Sequence, residues 1–387
     1  MTALRQGFTT GTAAAAAAKA ALLLLLTGRS VAEVDTPLPL GAAHPTASGM
    51  ETGRTRMTIP VARCLREADG ARAVVVKDAG DDPDVTHGAE IQVFARFAEA
   101  SGPLRVNLDG GRGVGRVTLP GLAVPVGLAA INPGPREQIE SAVREALHGR
   151  GGVATVLVEV PEGAKLAQKT LNPRLGIQGG ISILGTHGIV RPFSHDAWAA
   201  SVTQALNVAR AEGHDLAVFT TGRKSERLYL DRFPQTPERC LVQAADFFGH
   251  ACRTAAGLGF RRIGWSLFFG KLVKQAQGFE NTHARSAEID FRLLADWCAQ
   301  AGATPGLARE AATANTARQV LGLFQSGGES AALRRLLANL AIRTAEQVGQ
   351  FAPQAEVHFA IFDFNGSTLL ITGPLPSSAP PLSSDPT

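Results

Sequence analysis

The chain has 387 residues, 45% of them hydrophobic, with 38 basic against 34 acidic side chains and a formal charge of +4. That length supports two domains with separate cores, and so mixed a charge argues against the dense basic surface that nucleic acid requires. Four cysteines (Cys64, Cys240, Cys252, Cys298) stand far apart with no Cys-x-x-Cys pair, which argues against a disulfide framework or a zinc knuckle and fits a reducing, cytoplasmic compartment.

In chain order, Thr9-Thr10-Gly11-Thr12 supplies capping hydroxyls to an alanine and leucine run that predicts a buried helix over 12–27. Arg5, the run from Ala13 to Leu26 and Ser30-Val31-Ala32 imitate a secretory leader. Lys19 breaks the run into uncharged pieces shorter than a membrane span, so no membrane partner is expected. Met57 to Cys64 and Ala73 to Val76 read as strands and Ala89 to Ala100 as a helix. Val114 to Val126 has strand character broken by Pro120 and Pro125. A proline in the first turn opens a helix over 135–147. The apolar run Val153 to Val160 reads as a central strand buried on both faces.

From Gly179 the rhythm becomes strand, glycine loop, helix: ISILG then THG, LAVF then TTGR, RIGWSLFFG then KLVKQAQG. It predicts a parallel, doubly wound sheet. Helices follow over 286–352, then a hairpin over 356–372 turning at Asn365-Gly366. The expected organisation is α/β: an α+β domain over 1–160, a Rossmann-like doubly wound domain with C-terminal helices and hairpin over 161–373, and a disordered tail over 374–387.

Glycine loops after strands let backbone amides approach an anion or a ribose, so Gly185-Thr186-His187-Gly188, Thr220-Thr221-Gly222-Arg223 and Gly270-Lys271 point to a nucleotide-like ligand. A single such loop is ordinary turn chemistry; three in one half are less so. Gly111-Arg112-Gly113-Val114-Gly115 is no dinucleotide fingerprint, because it runs into a proline-broken strand, and there is no Walker lysine loop. The turn from Lys77 to Gly88 crowds Asp78, Asp81, Asp82, Asp84 and His87 together. Crowding is expected to raise at least one carboxylate pKa, giving a proton acceptor or else an oxygen-ligand metal site; the plain alternative is a solvated Asp-rich turn. Only seven of the 38 basic residues are lysines (Lys19, Lys77, Lys165, Lys169, Lys224, Lys271, Lys274), so a retained lysine marks a place where a compact ammonium is wanted.

The segments FTTGTAAAAAAKA (8–20), VVVKDAGDDPDVTHGAEI (74–91), GRGVGRVTLPGLAVPVGLAAINPGPREQI (111–139), GAKLAQKTLNPRLGIQGGISILGTHGIVRPFS (163–194), TTGR (220–223) and GKLVKQAQGFENTH (270–283) resemble the cobalt-precorrin-5B C(1)-methyltransferase family, CbiD. All seven lysines lie in or beside them. The resemblance implies methyl transfer from S-adenosyl-L-methionine to ring carbon C-1 of cobalt-precorrin-5B, giving cobalt-precorrin-6A in cobalamin biosynthesis. The implied partner is a tetrapyrrole, a cobalt-corrin precursor, whose acetate and propionate arms suit Lys and Arg donors. On that reading Thr9, Thr10, Lys169, Arg174, Lys271, Lys274 and His283 bind substrate. Asp78, Asp81, Asp82 and His87 accept the proton. Gly185, Thr186, Gly188, Thr220, Thr221 and Gly222 hold the methyl donor.

No protein-bound metal is expected: His195 and His283 read as hydrogen-bonding residues, and the ring brings its own cobalt. Ala13 stands where the family usually has cysteine, so a thiol there is not essential. Leu119, Leu128, His187 in the glycine loop and Phe268-Phe269 are further departures, which bear on how this chain grips its substrate's periphery and on whether the ring already carries cobalt. Homo-oligomerisation stays open. The rival readings are a corrinoid-binding protein that does no chemistry, which would not bind the methyl donor, and a small-molecule kinase, which would bind nucleotide.

Overall fold

Thr9 has an extended backbone, and its hydroxyl accepts the Thr12 N–H at 3.2 Å, which starts helix α1 (Thr10–Thr27). Gly28, at φ 69°, ends the helix by donating to the Leu24 carbonyl at 2.9 Å. Ala13 to Ala18, Ala20 and Ala21 are all fully buried, so α1 is covered nearly all round, as a core helix is. It is long and apolar enough to cross a membrane, but 72% of that stretch is buried within the protein. This computed structural model describes residues 4–39, 44–46, 49–51, 55–284 and 286–373; the tail expected over 374–387 lies outside them. Two units result, Met1–His195 and Asp196–Thr387, so the boundary falls after residue 195 and not after residue 160.

In the first unit, strand β1 (Glu33–Pro37) pairs antiparallel with β2 (Arg56–Pro60). β3 (Arg63–Glu67), β4 (Gly70–Val76), β5 (Glu90–Glu99), β6 (Leu104–Gly110) and β7 (Gly152–Glu159) form a sheet in the order β3-β4-β5-β7-β6. Helix α2 (Pro133–Leu147) crosses from β6 to its parallel neighbour β7. It begins at Pro133, two residues before the predicted start, and α1 packs against α2, β4 and β5.

Over the predicted helix 89–100 the chain instead forms the strand Glu90–Glu99. Ile91, Val93 and Ala95 are fully buried while Gln92 and Phe94 between them are only half-buried, a period of two that outweighs the helix propensity of the alanines and glutamates. β7 alternates likewise, because helices cover only one of its faces: Ala154, Val156 and Val158 point inward, and Val153, Thr155 and Leu157 outward. The pairs Val93 with Val158 and Ala95 with Val156 fix the register. Of the strand expected over 114–126, only Arg116–Val117 forms a strand, antiparallel with Ile177–Gln178, Val114 makes a single bridge to Ile181, and Pro120 and Pro125 stand in the loop beyond.

In the second unit, helix α3 (His195–Ala211) precedes β8 (Leu216–Thr220), α4 (Arg223–Arg232), β9 (Leu241–Gln243), α5 (Phe248–Gly257), β10 (Arg262–Phe268) and α6 (Phe269–Ala276). Helices α7 (Phe291–Gln300), α8 (Pro305–Ala312), α9 (Ala317–Ser326) and α10 (Ser330–Phe351) lead to the hairpin β11 (Glu356–Phe362) and β12 (Thr368–Thr372). The sheet order is β9-β8-β10-β11-β12, parallel except for β12. Alternate residues of β8 enter different cores: Leu216 and Val218 pack with Tyr229 of α4, and Ala217 and Phe219 with α3 and α5. Helices therefore lie on both faces, as doubly wound chains require. Gly264 of β10 leaves room for His358 of β11, since a Cβ there would meet the imidazole at 2.4 Å. Tyr229 and His358 share a hydrogen bond of 3.0 Å, and burial pushes the imidazole down to about 4.

Lys19 is the one charge within the buried stretch of α1. Its ammonium donates to Glu145 and to the Asp35 carbonyl, both at 2.7 Å, and Arg56 donates to both Glu145 oxygens at 2.8 Å. The Arg56 hydrogen bonds, then Lys19, hold the Glu145 carboxyl down at about 2 against an ordinary 4.5, overcoming the opposing effect of its partial burial. With the folded value below the ordinary one, this network stabilises the unit fully above that ordinary value, and its contribution fades as pH falls toward 2. Urea unfolding of the full chain at about pH 6 and about pH 3 should show a smaller acid-induced loss of stability in Glu145→Gln than in the unaltered protein. Equal losses would remove Glu145 from the acid-sensitive groups.

Candidate active site

The first glycine loop does not follow a strand of the parallel sheet. Ile181 and Ile183 make single bridges to Val114 and Ile131 within the first unit, and Ile189–Val190 pairs with Gly7–Phe8 before α3 begins. The segment is clasped to the start of α1. The Thr10 hydroxyl donates to the Leu184 carbonyl at 3.2 Å and accepts the Leu184 N–H at 2.9 Å. The Thr12 hydroxyl and the Thr9 N–H both reach the Gly188 carbonyl, at 2.8 and 3.0 Å. A Cβ on Gly185 would lie 2.5 Å from the Thr9 side chain, and one on Gly188 2.7 Å from Leu38. Thr9, Thr10 and Gly188 are buried and Gly185 half-buried, so close packing accounts for these residues; Thr186 is exposed. Lys169 is exposed and Arg174 half-buried, in the stretch that Asn172 ties to Gly180 by a 3.1 Å hydrogen bond.

In the acidic turn each carboxylate has its own donor. Arg5 pairs with Asp78 and gives its backbone N–H to Asp81 at 2.7 Å. Lys77, 1% exposed, donates to Asp84 at 2.6 Å, and Thr86 gives Asp84 both its N–H and its hydroxyl at 2.7 Å. Asp82 accepts the N–H of Phe193 at 2.9 Å. The hydrogen bond from Arg5 holds Asp78 below the usual carboxylate range. Burial pushes Asp84 upward, but Lys77 and Thr86 outweigh it and the net shift is also down. Crowding was expected to raise a carboxylate; at both positions the donors reverse that sign. Among the described residues no three His, Cys, Asp or Glu side chains group as metal ligands. His87 accepts the Ala79 N–H through Nδ1 at 3.1 Å, so the neutral ring carries its proton on Nε2 and presents a donor.

In the second unit the Thr221 loop and the Lys271 loop meet where the strand order reverses, between the carboxyl ends of β8 and β10. The Thr221 N–H reaches the Ser225 hydroxyl at 3.0 Å and the Ser266 carbonyl at 3.3 Å. Gly222 has φ 150°, and a Cβ there would have nothing within 4 Å, so the glycine serves its backbone conformation and leaves open space beside it. The Thr220 hydroxyl is buried without a hydrogen-bond partner among the described residues. Lys271 pairs with Asp246, which also accepts the Thr282 hydroxyl at 3.0 Å. The ammonium groups of Lys271 and Lys274 both donate to the Thr282 carbonyl, at 3.2 and 3.1 Å. Burial first, then the charge of Lys271, pushes the Lys274 ammonium below its ordinary pKa. His283 is half-buried, its N–H held by Asn281 at 2.9 Å.

Sequence reasoning overlooked Asp246, Ser225 and Arg5. Asp246 lies outside every glycine loop, and nothing in its spacing pairs it with a lysine 25 residues on. Burial pushes the Cys240, Cys252 and Cys298 thiols up to about 12, so none is a ready nucleophile.

Substitutions at two positions test these contacts. Phe193 is a non-glycine residue at φ 58°, and 67% of it is exposed. Asp82→Ala should speed hydrogen exchange at Phe193 by roughly tenfold, whereas Asp82→Asn, which keeps an acceptor oxygen, should change it far less. Equal effects would mean that the carboxylate's charge, not its hydrogen bond, holds the segment. Lys271→Met should move the Lys274 pKa up, read from the pH dependence of amine acylation by mass spectrometry; an unmoved profile would leave burial as its sole cause.

The family model for CbiD matches residues 1–192, and that for the CbiD C-terminal domain matches residues 281–373. A relative from Nitratidesulfovibrio vulgaris, named cobalt-precorrin-5B C(1)-methyltransferase, is 49% identical over 95% of this chain and 92% of its own. One of the same name from Rubrobacter xylanophilus is 45% identical over 94% and 89%. A crystal structure of the cobalamin biosynthesis protein (cbiD) from Archaeoglobus fulgidus is 27% identical over 70% of this chain and 78% of that one, with a TM-score of 0.35. With identity at that level running through both units, the chain belongs to the CbiD family.

Proposed function

We propose that this protein transfers a methyl group from S-adenosyl-L-methionine to C-1 of cobalt-precorrin-5B, yielding cobalt-precorrin-6A, and that it works in the cytoplasm. The observation that carries the reading is the 49% identity, over nearly the full length of both chains, to a relative named for that reaction. Bound S-adenosyl-L-methionine supplies an electrophilic methyl on sulfur, so the protein's task is to align a ring carbon with it and keep water away.

The carboxyl end of the second unit's sheet suits the methyl donor. Gly222 leaves open space, Thr220 has a hydroxyl to offer, and the Thr221 hydroxyl lies 3.2 Å from Ser225. Lys271 and Lys274 have the chemistry to hold carboxylate arms, with Asp246 as the counterion that a substrate carboxylate would replace. Lys169 and Arg174 keep the substrate-binding role in this reading, and His283 joins them.

Proton acceptance, assigned from sequence to Asp78, Asp81, Asp82 and His87, narrows to Asp81. Asp78 is committed to Arg5, Asp82 is half-buried with one oxygen taken by the Phe193 N–H, and His87 presents an N–H. Asp81 is exposed, with one oxygen engaged by the Arg5 N–H.

Incubation with methyl-labelled S-adenosyl-L-methionine and cobalt-precorrin-5B should place the label on C-1 by NMR. Label at any other ring position would refute the assignment. Calorimetry showing no affinity for the methyl donor would favour a protein that holds the macrocycle without changing it. Asp81→Asn should lower kcat by at least about a hundredfold with binding retained, the usual scale for losing a general base.

A further inference from the structure

The turn between β11 and β12 presents Phe364 at the same end of the second sheet as Gly222. Its ring stacks on Phe268, the last residue of β10, with centroids 4.4 Å apart and planes 8° from parallel. The turn holding it is tied down. Asp363, buried, accepts the Phe364 N–H at 2.6 Å and the Gln325 amide at 3.1 Å, and its own N–H reaches Ser367 at 2.9 Å. Gly366, at φ 94°, completes the reversal. Yet Phe364 remains 48% exposed, an unusual place for a phenylalanine fixed so firmly.

Two cations flank the ring. The Lys224 ammonium, two residues beyond Gly222, lies 5.7 Å from the Phe364 centroid and donates to the Phe364 carbonyl. The Arg318 guanidinium, on the first turn of α9, lies 5.8 Å from it. Both side chains are exposed, and among the described residues neither has a carboxylate partner. A cation beside an aromatic ring contributes too little at an exposed site to explain an arrangement of four residues from four elements.

We infer that Phe268, Phe364, Lys224 and Arg318 form the platform that receives the macrocycle, the aromatic pair meeting its flat conjugated surface and the two cations its carboxylate arms. This rests on the proposed methyl transfer for the identity of the ligand. Charge decides between the two ligands of that reaction. S-adenosyl-L-methionine carries a sulfonium and an ammonium against one carboxylate, so two unpaired cations repel it. A ring bearing many carboxylates is attracted by them and offers the broad planar face that an aromatic stack needs. Phe268-Phe269, a departure from the family's more polar pair at the sequence level, acquires a role on this account: Phe268 backs the stack, while Phe269 is buried in the core.

Absorbance titration with an octacarboxylate porphyrin, a stable planar stand-in, tests the platform on the full-length protein. Phe364→Ala should weaken binding by about tenfold and Phe364→Trp should keep it, the scale expected for one aromatic stack. Arg318→Glu should weaken the octacarboxylate more than a dicarboxylate porphyrin, and added salt should narrow that difference. Calorimetric affinity for S-adenosyl-L-methionine should stay within about twofold in all three variants, which also shows that they are folded.

The platform is refuted if the unaltered protein fails to bind the octacarboxylate, or if Phe364→Ala binds it equally well. It is also refuted if Phe364→Ala loses the methyl donor instead, which would assign the stack to adenine. Labelled-methyl turnover separates this failure from failure of the function. Normal kcat/KM for Phe364→Ala on cobalt-precorrin-5B would remove the platform and leave the reaction. Phe364-dependent porphyrin binding without any methyl transfer would do the reverse.

Discussion

At the head of α1 the Thr10 and Thr12 hydroxyls and the Thr9 N–H reach backbone groups of Leu184 and Gly188, and the two segments lie so close that a Cβ on Gly185 or Gly188 would clash. That approach governs the first unit. It fixes the start of the helix that covers the sheet. By the same strand, Phe8 donates to the Asp78 carbonyl at 2.8 Å and Gly7 approaches the acidic turn where no Cβ would fit. The segment 163–194 consequently belongs to the first unit, and the unit boundary lies after it.

Much of this was legible beforehand, for identifiable reasons. Capping threonines before an alanine run, a proline opening α2, and strands ending in Thr-Gly or Gly-Lys are local signals with local causes, and the structure follows them. The hairpin turning at Asn365-Gly366 is another. β5 was misread because alanine and glutamate favour helices, while the alternation of Ile91, Val93 and Ala95 answers to a sheet whose one covered face is set by distant residues. The loop at Gly185 lies outside the parallel sheet for a related reason: an apolar run ending in a glycine reads the same whether its pairing partners are in one sheet or another. Asp246 gave no signal, since its meaning depends on a pairing formed only after the sheet is wound.

The few lysines divide by surroundings. Lys19 and Lys77 neutralise carboxylates inside the first unit, with Lys77 almost wholly buried, and their roles are structural. Lys271 and Lys274 share one carbonyl at the carboxyl end of the second sheet, and Lys224 stands at that end too. Arginine's planar fork makes fixed bidentate contacts such as Arg56 with Glu145. A lysine can exchange one partner for another with little rearrangement, which fits a site whose resting counterions give way to a ligand.

The alanines of α1 carry one further consequence. A buried leucine or methionine must give up rotameric freedom when the chain folds, whereas alanine has none to lose, so the eight alanines at the centre of the first unit are ordered at no side-chain entropic cost. Each also contributes little apolar area of its own. The cohesion of this core therefore comes from how near its backbones lie to one another, and its order lies in the path of the chain.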